Sequence, residues 1–265
     1  MICVTGDTHG NFERFVKEEV PELYACAEQG EQVYLIICGD FGGIWDESYN
    51  NVKRIQALKQ LPFTILFIDG NHENFDLLKY YERVDYMGGK AHKIADNIYH
   101  LMRGYVFEIE GKKLFCMGGA KSHDVQDGIL DRANFKDDIT FMKTWQRWYL
   151  ENRQFRVNHY TWWKEEMPSS IEMKRGLKSL EQVGYKVDYV ISHSLPSKVL
   201  KAVGYEDTED SITTYFDQLV DKLEFGVWFS GHYHIDGIAD AKHLMNSGLS
   251  VKAYRFIYED IVQLI

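Results

Sequence analysis

The 265-residue sequence lacks several features, and each absence removes a class of protein. No apolar run approaches the roughly 20 residues that a membrane-spanning helix needs. The four cysteines, Cys3, Cys26, Cys38 and Cys116, show no CxxC spacing, and three lie in apolar runs. That reads as reduced core cysteines in a cytoplasmic chain. The first residues enter the strand-like run Ile2-Cys3-Val4 at once, which leaves no room for a signal peptide. There is no internal repeat and no low-complexity stretch. Positive charge is in deficit, with 30 Lys and Arg against 40 Asp and Glu for a net charge of −10. This lowers the expectation of charge-driven nucleic-acid binding. An anionic small molecule stays open, because a bound metal can reverse the local sign. What remains is an ordinary globular composition, 45% apolar, of a length that suits one large domain.

The first half alternates short apolar runs with helical spacing. Residues 2–5 lead to Gly6-Asp7, residues 33–38 to Gly39-Asp40, and residues 63–68 to Asp69-Gly70-Asn71-His72. Between the first two, Phe12, Phe15, Val16, Val20 and Leu23 recur as on one helix face. Strands alternating with helices indicate βαβ units, and unbroken apolar runs suit strands buried on both faces. Sites in open α/β sheets form beyond the carboxyl ends of strands. The pattern by itself therefore predicts polar residues gathered along one edge of a single sheet. Residues 105–109 and 112–117 read as a hairpin turning at Glu110-Gly111. Residues 120–170 are richer in aromatics and charge, with a break at Met167-Pro168, and read as an insertion or cap within one domain spanning 1–265. Residues 171–183 and 211–223 read as helices, 188–191 and 227–229 as strands, and 251–264 as closing strand.

Five polar clusters follow five apolar runs: Asp7-Thr8-His9, Gly39-Asp40, Gly70-Asn71-His72-Glu73, Ser192-His193 and Gly231-His232-Tyr233-His234. All offer oxygen or imidazole donors and none a thiolate, which suits divalent manganese, iron or zinc. Residues two apart in extended chain point the same way, so Asp7 with His9, and His232 with His234, can aim at one place. Asp40 stands alone at its strand end, the natural position for a carboxylate bridging two metals. Glycines before Asp7, Asp40, Asn71 and His232 allow sharp turns and close backbone approach.

The ordered series D-x-H, GD, GNHE, H, GHxH resembles the calcineurin-like metallophosphoesterase superfamily, and its motifs run from Asp7 to His234. One such dipeptide means little, whereas all five in order are highly specific. The resemblance implies an α/β fold of two mixed β-sheets packed as a sandwich and flanked by helices, in place of the single sheet. It implies two divalent metal ions, manganese first and iron or zinc as alternatives. Asp7, His9, Asp40 and His234 would hold the first, and Asp40, Asn71, His193 and His232 the second. Two ions about 3.5–4 Å apart can share a water, lower its pKa and turn it on phosphorus. Asp40 is thus catalytic as well as ligating. His72, beside a ligand but not one itself, would be the general acid for the leaving group.

The sequence also departs from the phosphoprotein phosphatase branch. Asp40 is followed by Phe41-Gly42-Gly43-Ile44-Trp45, without the Asp and Arg that there support the catalytic His and grip phosphate. A small phosphate ester or nucleotide therefore suits the chain better than a phosphoprotein. Gly118-Gly119-Ala120, then Lys121-Ser122-His123-Asp124 and Asp131-Arg132, with Trp162-Trp163-x-x-Glu166, resembles bacterial and phage members. Lys121, His123 and Arg132 become candidate substrate contacts on that basis. A nuclease would carry the same motifs but needs a basic stripe that is missing here. A non-catalytic scaffold would be expected to have lost ligands or His72.

Blander readings are preferred elsewhere. Glu73 is expected as an early-helix acid near a positive N-terminus. The aromatics Trp145, Trp148, Tyr149, Phe155, Tyr160, Trp162 and Trp163 could stack a base but more simply pack the insertion. Asp124, Asp127 and Asp131 are expected in a solvated loop rather than around a cation. His92, His100, His159 and His243 have no partner at ligand spacing. Residues 206–210 are expected to form an acidic loop that caps the next helix.

Overall fold

The computed structural model describes residues 1–206, 208–239, 241–246 and 253–265. Its strands are β1 (Ile2–Thr5), β2 (Tyr34–Ile37), β3 (Thr64–Phe67), β4 (Glu82–Tyr86), β5 (Gly89–Ala95), β6 (Ile98–Leu101), β7 (Tyr105–Ile109), β8 (Lys112–Met117), β9 (Gly128–Leu130), β10 (Phe155–Val157), β11 (Tyr189–Ser192), β12 (Val227–Ser230), β13 (Gly237–Ile238), β14 (Ala253–Phe256) and β15 (Val262–Gln263). The helices are α1 (Pro21–Glu28), α2 (Tyr49–Leu58), α3 (Phe75–Leu78), α4 (Asp138–Leu150), α5 (Ser170–Gln182), α6 (Ser197–Ala202), α7 (Ser211–Val220) and α8 (Ala241–Asn246).

Two mixed sheets form the body. The first is ordered β15-β1-β2-β3-β6-β5-β4, and β1, β2, β3 and β6 run parallel within it. The second is ordered β13-β14-β12-β11-β8-β7, with β8, β11, β12 and β14 parallel. The single sheet suggested by the alternating pattern is therefore corrected to a sandwich, as the family resemblance implied. Strand periodicity explains the layering. Ile2, Val4, Ile36, Cys38, Leu66 and Ile68 face the core between the sheets, where they meet Leu114, Cys116, Ile191 and Phe229. The alternate residues Cys3, Leu35, Ile37, Ile65 and Phe67 face outwards onto Leu23 of α1, Leu58 of α2 and Leu78 of α3. Phe115, Met117, Val190 and Trp228 do the same against α5, α6 and α7. With both faces covered, the strands read as unbroken apolar runs, and each fully buried large side chain contributes about 1.5–3 kcal/mol.

Several local expectations change. The spacing from Phe12 to Leu23 is not one helix: a 3-10 turn at Glu13–Phe15 is followed by α1, whose Pro21 opens it. Proline has no N–H and disfavours helical backbone in the residue before it, so Val20 stays outside the helical region at φ −129°, ψ 54°. The 105–117 hairpin is present, with Glu110 and Gly111 at φ 49° and 72°, a two-residue turn matched to strand twist. The tail supplies two strands rather than one, β14 in the second sheet and β15 in the first, and residues 251 and 252 lie outside the described residues. Asp210 caps α7 by accepting from Ile212 and Thr213 N–H, while Asp207 lies outside the described residues.

Residues 120–170 carry β9 and β10, paired parallel, and α4, around a small core of Leu130, Phe141 and Val157. Their aromatics pair mostly with one another, Trp145 with Tyr160 at 5.0 Å and Trp148 with Phe155 at 5.3 Å. Trp163 is fully buried, and its indole N–H donates to Asp76 of α3 at 2.7 Å. Asp124 binds Arg156, Asp127 accepts from Gln154 N–H, and Asp131 accepts from Ala133 N–H and Asn158. Each of these acids thus has a protein partner. No helix among the described residues is long and apolar enough to cross a membrane.

Candidate metal centre

The carboxyl ends of five parallel strands converge on one place. Asp7 and His9 follow β1, Asp40 follows β2, Asn71 and His72 follow β3, His193 follows β11, and His232 and His234 follow β12. Nε2 of His234 lies 3.1 Å from Asp7 Oδ2 and 3.0 Å from Nε2 of His9. Nε2 of His9 is 3.7 Å from Asp40 Oδ2. The other oxygen of Asp40 faces the second group: Oδ1 is 3.3 Å from His193 Nε2, which is 3.1 Å from Asn71 Oδ1. The His232 ring lies 5.0 Å from that of His193. All seven residues of the sequence-based set are thus brought together, drawn from both sheets.

The local backbone explains how the groups come so close. His9, Asp40, His232 and His234 adopt left-handed conformations at φ 46°, 48°, 72° and 49°. Such positions cost on the order of 1–3 kcal/mol each and collect at functional sites. Backbone amides tie the loops together. Thr8 and His9 N–H donate to the Asp40 carbonyl, His232 N–H donates to the Asp7 carboxylate at 3.0 Å, and His72 N–H donates to Asp40 Oδ1 at 2.8 Å. A Cβ on Gly70 would stand 2.0 Å from Asp40 Oδ1, and one on Gly39 2.2 Å from His193 Nδ1. Only glycine leaves room for these carboxylate and imidazole groups.

The donors fit a divalent cation. Ligand atoms of Asp7, His9, Asp40 and His234 all lie within 4.8 Å of one another, a spacing compatible with a shared ion. Nitrogen and oxygen ligands sit about 2.0–2.2 Å from zinc, for example. Nδ1 of His193 donates to the Cys38 carbonyl at 2.7 Å, so a neutral ring turns its Nε2 lone pair onto the oxygens of Asp40 and Asn71. That arrangement needs positive charge between them. The same demand shows in titration. Burial disfavours a charged His193, but Asp40 and Asp7 outweigh it and push its pKa up to about 10. Burial would favour a neutral Asp40, but His193, His72 and His9 keep it ionised, below the usual carboxylate range. Burial first, then nearby His193, drives His232 well below the usual histidine value. Burial thus favours the neutral ring, the form in which a histidine can bind metal.

Neighbouring side chains hold these groups in place. Asn71 Nδ2 donates to Ser122 Oγ at 3.3 Å, and Ser122 Oγ donates to buried Glu166 at 2.6 Å. The amide is thereby fixed with its oxygen toward His193. Asp69, just before the Gly70-Asn71 turn, is buried against Arg103 and accepts from His100 Nε2 at 2.9 Å. His100 in turn pairs with His92 at 2.9 Å. These two histidines, which show no ligand spacing in sequence, form a buried chain behind the site. His159 is bonded to Asp76 at 2.6 Å, and the side chain of His243 lies outside the described residues. Glu73 is not an early-helix acid: it precedes the Asn74 cap of α3 and is buried, accepting from Phe41 N–H at 2.7 Å. Burial, then Asp40, raises its pKa well above the usual value.

The three candidate substrate contacts differ in place. His123 Nε2 lies 2.8 Å from His232 Nε2, with the rings stacked at 4.7 Å. Lys121 lines a cavity of about 570 Å³ together with His123, Tyr205 and His232. Arg132 is bonded to Asp138 and to the Phe135 carbonyl, within the 120–170 segment. Ser122, Glu166, Asp69 and Arg103 were not singled out as site residues by sequence reasoning. Ser122 and Glu166 lie in the two stretches noted for their resemblance to bacterial and phage proteins, but their pairing across 44 residues is a tertiary fact.

The sequence matches the calcineurin-like phosphoesterase family over residues 1–236, and the chain belongs to that family of metal-dependent phosphoester hydrolases. No curated protein sequence matches it. Among solved structures, it is similar to the crystal structure of phosphopantetheinyl hydrolase from Mycobacterium tuberculosis. The two share 12% identity at a TM-score of 0.39, over 97% of this chain and 89% of that one.

Proposed function

We propose that Asp7, His9, Asp40 and His234 hold one divalent ion, that Asp40, Asn71, His193 and His232 hold a second, and that the pair serves hydrolysis of a small phosphate ester or nucleotide. The observation that carries this reading is the orientation of Asp40, whose Oδ2 faces His9 while Oδ1 faces His193. A carboxylate presenting one oxygen to each ligand group is a bridge. When bound, two such ions acidify a water for attack on phosphorus and neutralise the phosphoryl oxygens. Manganese is our first choice, with iron and zinc accepted by the same donors. Ser122 and Glu166 keep the Asn71 oxygen forward.

His72 supplies the proton to the leaving oxygen. Its backbone is fixed by the bond to Asp40, and its ring meets that of His9 at 5.6 Å. Burial lowers its pKa, with Asp40 pulling the other way. A lowered pKa makes the imidazolium a stronger acid toward a departing alkoxide. Residues 120–170 act as a cap within a single domain, delivering Ser122, His123 and Glu166 to the metal centre. The four free cysteines suit a cytoplasmic protein.

The test is hydrolysis of nitrophenyl phosphate monoesters and diesters, dinucleotides, oligonucleotides and phosphopeptides by chelator-treated protein reloaded with single metals. Metal-dependent turnover of the small esters is expected. Two bound ions without turnover of any ester would revive the scaffold reading, and turnover confined to oligonucleotides would favour a nuclease.

A further inference from the structure

None of the proposed metal ligands is left to receive the outer oxygens of a phosphate. We propose that Arg156 does so, held in place by Asp124, and that the site thereby favours phosphomonoester dianions over diesters. The inference rests on the phosphoesterase reading of the same site.

Three observations point to Arg156. First, it is anchored. Its Nε donates to Asp124 Oδ1 at 2.9 Å and its Nη2 to Oδ2, the forked geometry that fixes a guanidinium plane. It stands on β10, which is paired with β9, and the next residue, Val157, is buried in the small core of that segment. Second, it has donors to spare. A guanidinium carries five N–H groups, and the fork occupies one on Nε and one on Nη2. Among the described residues, both N–H groups of Nη1 and the second on Nη2 are left for another oxyanion, and the side chain is 22% exposed. Third, it stands beside the candidate centre: Asp124, which holds it, directly follows His123, whose ring stacks on that of His232 at 4.7 Å.

Substrate phosphate would satisfy the N–H groups of Arg156 that the fork with Asp124 leaves over. A monoester presents more charge and one more terminal oxygen than a diester, so it gains more from the same guanidinium. Arg14 is spent on the Gly6 and Tyr258 carbonyls behind the loop, and Arg132 is bonded to Asp138.

The experiment measures binding of inorganic phosphate to the manganese-loaded full chain by calorimetry, together with kcat and KM for nitrophenyl phosphate and bis-nitrophenyl phosphate. Arg156→Ala is expected to weaken phosphate binding about 10- to 100-fold, the range for a lost charged hydrogen bond. It should raise KM for the monoester more than for the diester, with metal content unchanged. Arg156→Lys should recover part of the loss, and Asp124→Asn, which keeps the cation but loosens it, should fall between. Unchanged phosphate affinity in a folded, metal-loaded Arg156→Ala would overturn the proposal. So would a lowered melting temperature in Arg156→Ala and Asp124→Asn with phosphate affinity intact, since the pair would then be a strut. If the wild-type chain hydrolyses no ester, the phosphoesterase reading fails separately, and the phosphate-binding comparison still decides the role of Arg156.

Discussion

At the scale of single residues, the site is a set of side chains whose directions are fixed by their neighbours. His72 is the clearest case for mutation. His72→Ala should retain metal and lose about 10²–10⁴ in turnover on esters with poor leaving groups, with a smaller loss on nitrophenyl esters. Full activity on a poor leaving group would remove it from the reaction. The supporting residues make a different prediction. Glu166→Gln frees Ser122 and lets the Asn71 amide turn, so affinity for one of two ions should fall about 10- to 100-fold while the other is unaffected. A uniform loss at both sites would argue against that route. The proposed ligands were legible in sequence because each cluster follows an apolar run, in motifs whose order is specific. The supporting residues were not. Glu166, Ser122, Asp69 and Arg103 act through contacts between distant segments, and no local pattern encodes a partner 44 residues away.

At the scale of elements, two devices build the centre. One is the tight turn after each parallel strand. Gly70→Ala would drive a Cβ into Asp40 and should cost metal binding even where the chain still folds. The other is the docking of residues 120–170 by Trp163 and Asp76. Burial would raise the pKa of Asp76, but bonds from Lys79, Trp163 and His159 hold it at about 2. A carboxylate held below its ordinary 3.8 contributes stability above that pH, and the contribution is lost as pH falls toward 2. Acid titration should therefore expose Trp163 to quencher between about pH 4 and 2, and Asp76→Asn should remove that pH-dependent step. An identical fluorescence profile in the variant would show that Asp76 does not hold the segment. Element positions were read well where both faces of a strand are apolar, as in β1, β2 and β3. The reading failed at Pro21, where helical spacing of apolar residues overlooked backbone constraint, and it was silent on β4 and β5. The latter strands are half-exposed and carry little continuous apolar signal.

At the scale of the whole molecule, the centre lies where the two sheets meet. β1, β2 and β3 contribute from one sheet, β11 and β12 from the other. Sequence pattern without the family resemblance placed all these strands in one sheet, because a parallel run does not announce which sheet it joins. If the proposed ligands hold metal, the ion pair would clamp the halves of the sandwich together. Saturating an ion at 100 times its dissociation constant adds about 2.7 kcal/mol to stability. Manganese should accordingly raise the melting temperature and a chelator lower it again. Asp40→Ala should abolish the response, since that side chain faces both groups.

The central claim is that one carboxylate joins two metal positions, and metal stoichiometry tests it most directly. Elemental analysis after manganese loading and desalting should find two ions per wild-type chain, about one in His9→Ala and in Asn71→Ala, and essentially none in Asp40→Ala. A wild-type chain holding a single ion, or an Asp40→Ala variant that keeps two, would contradict it.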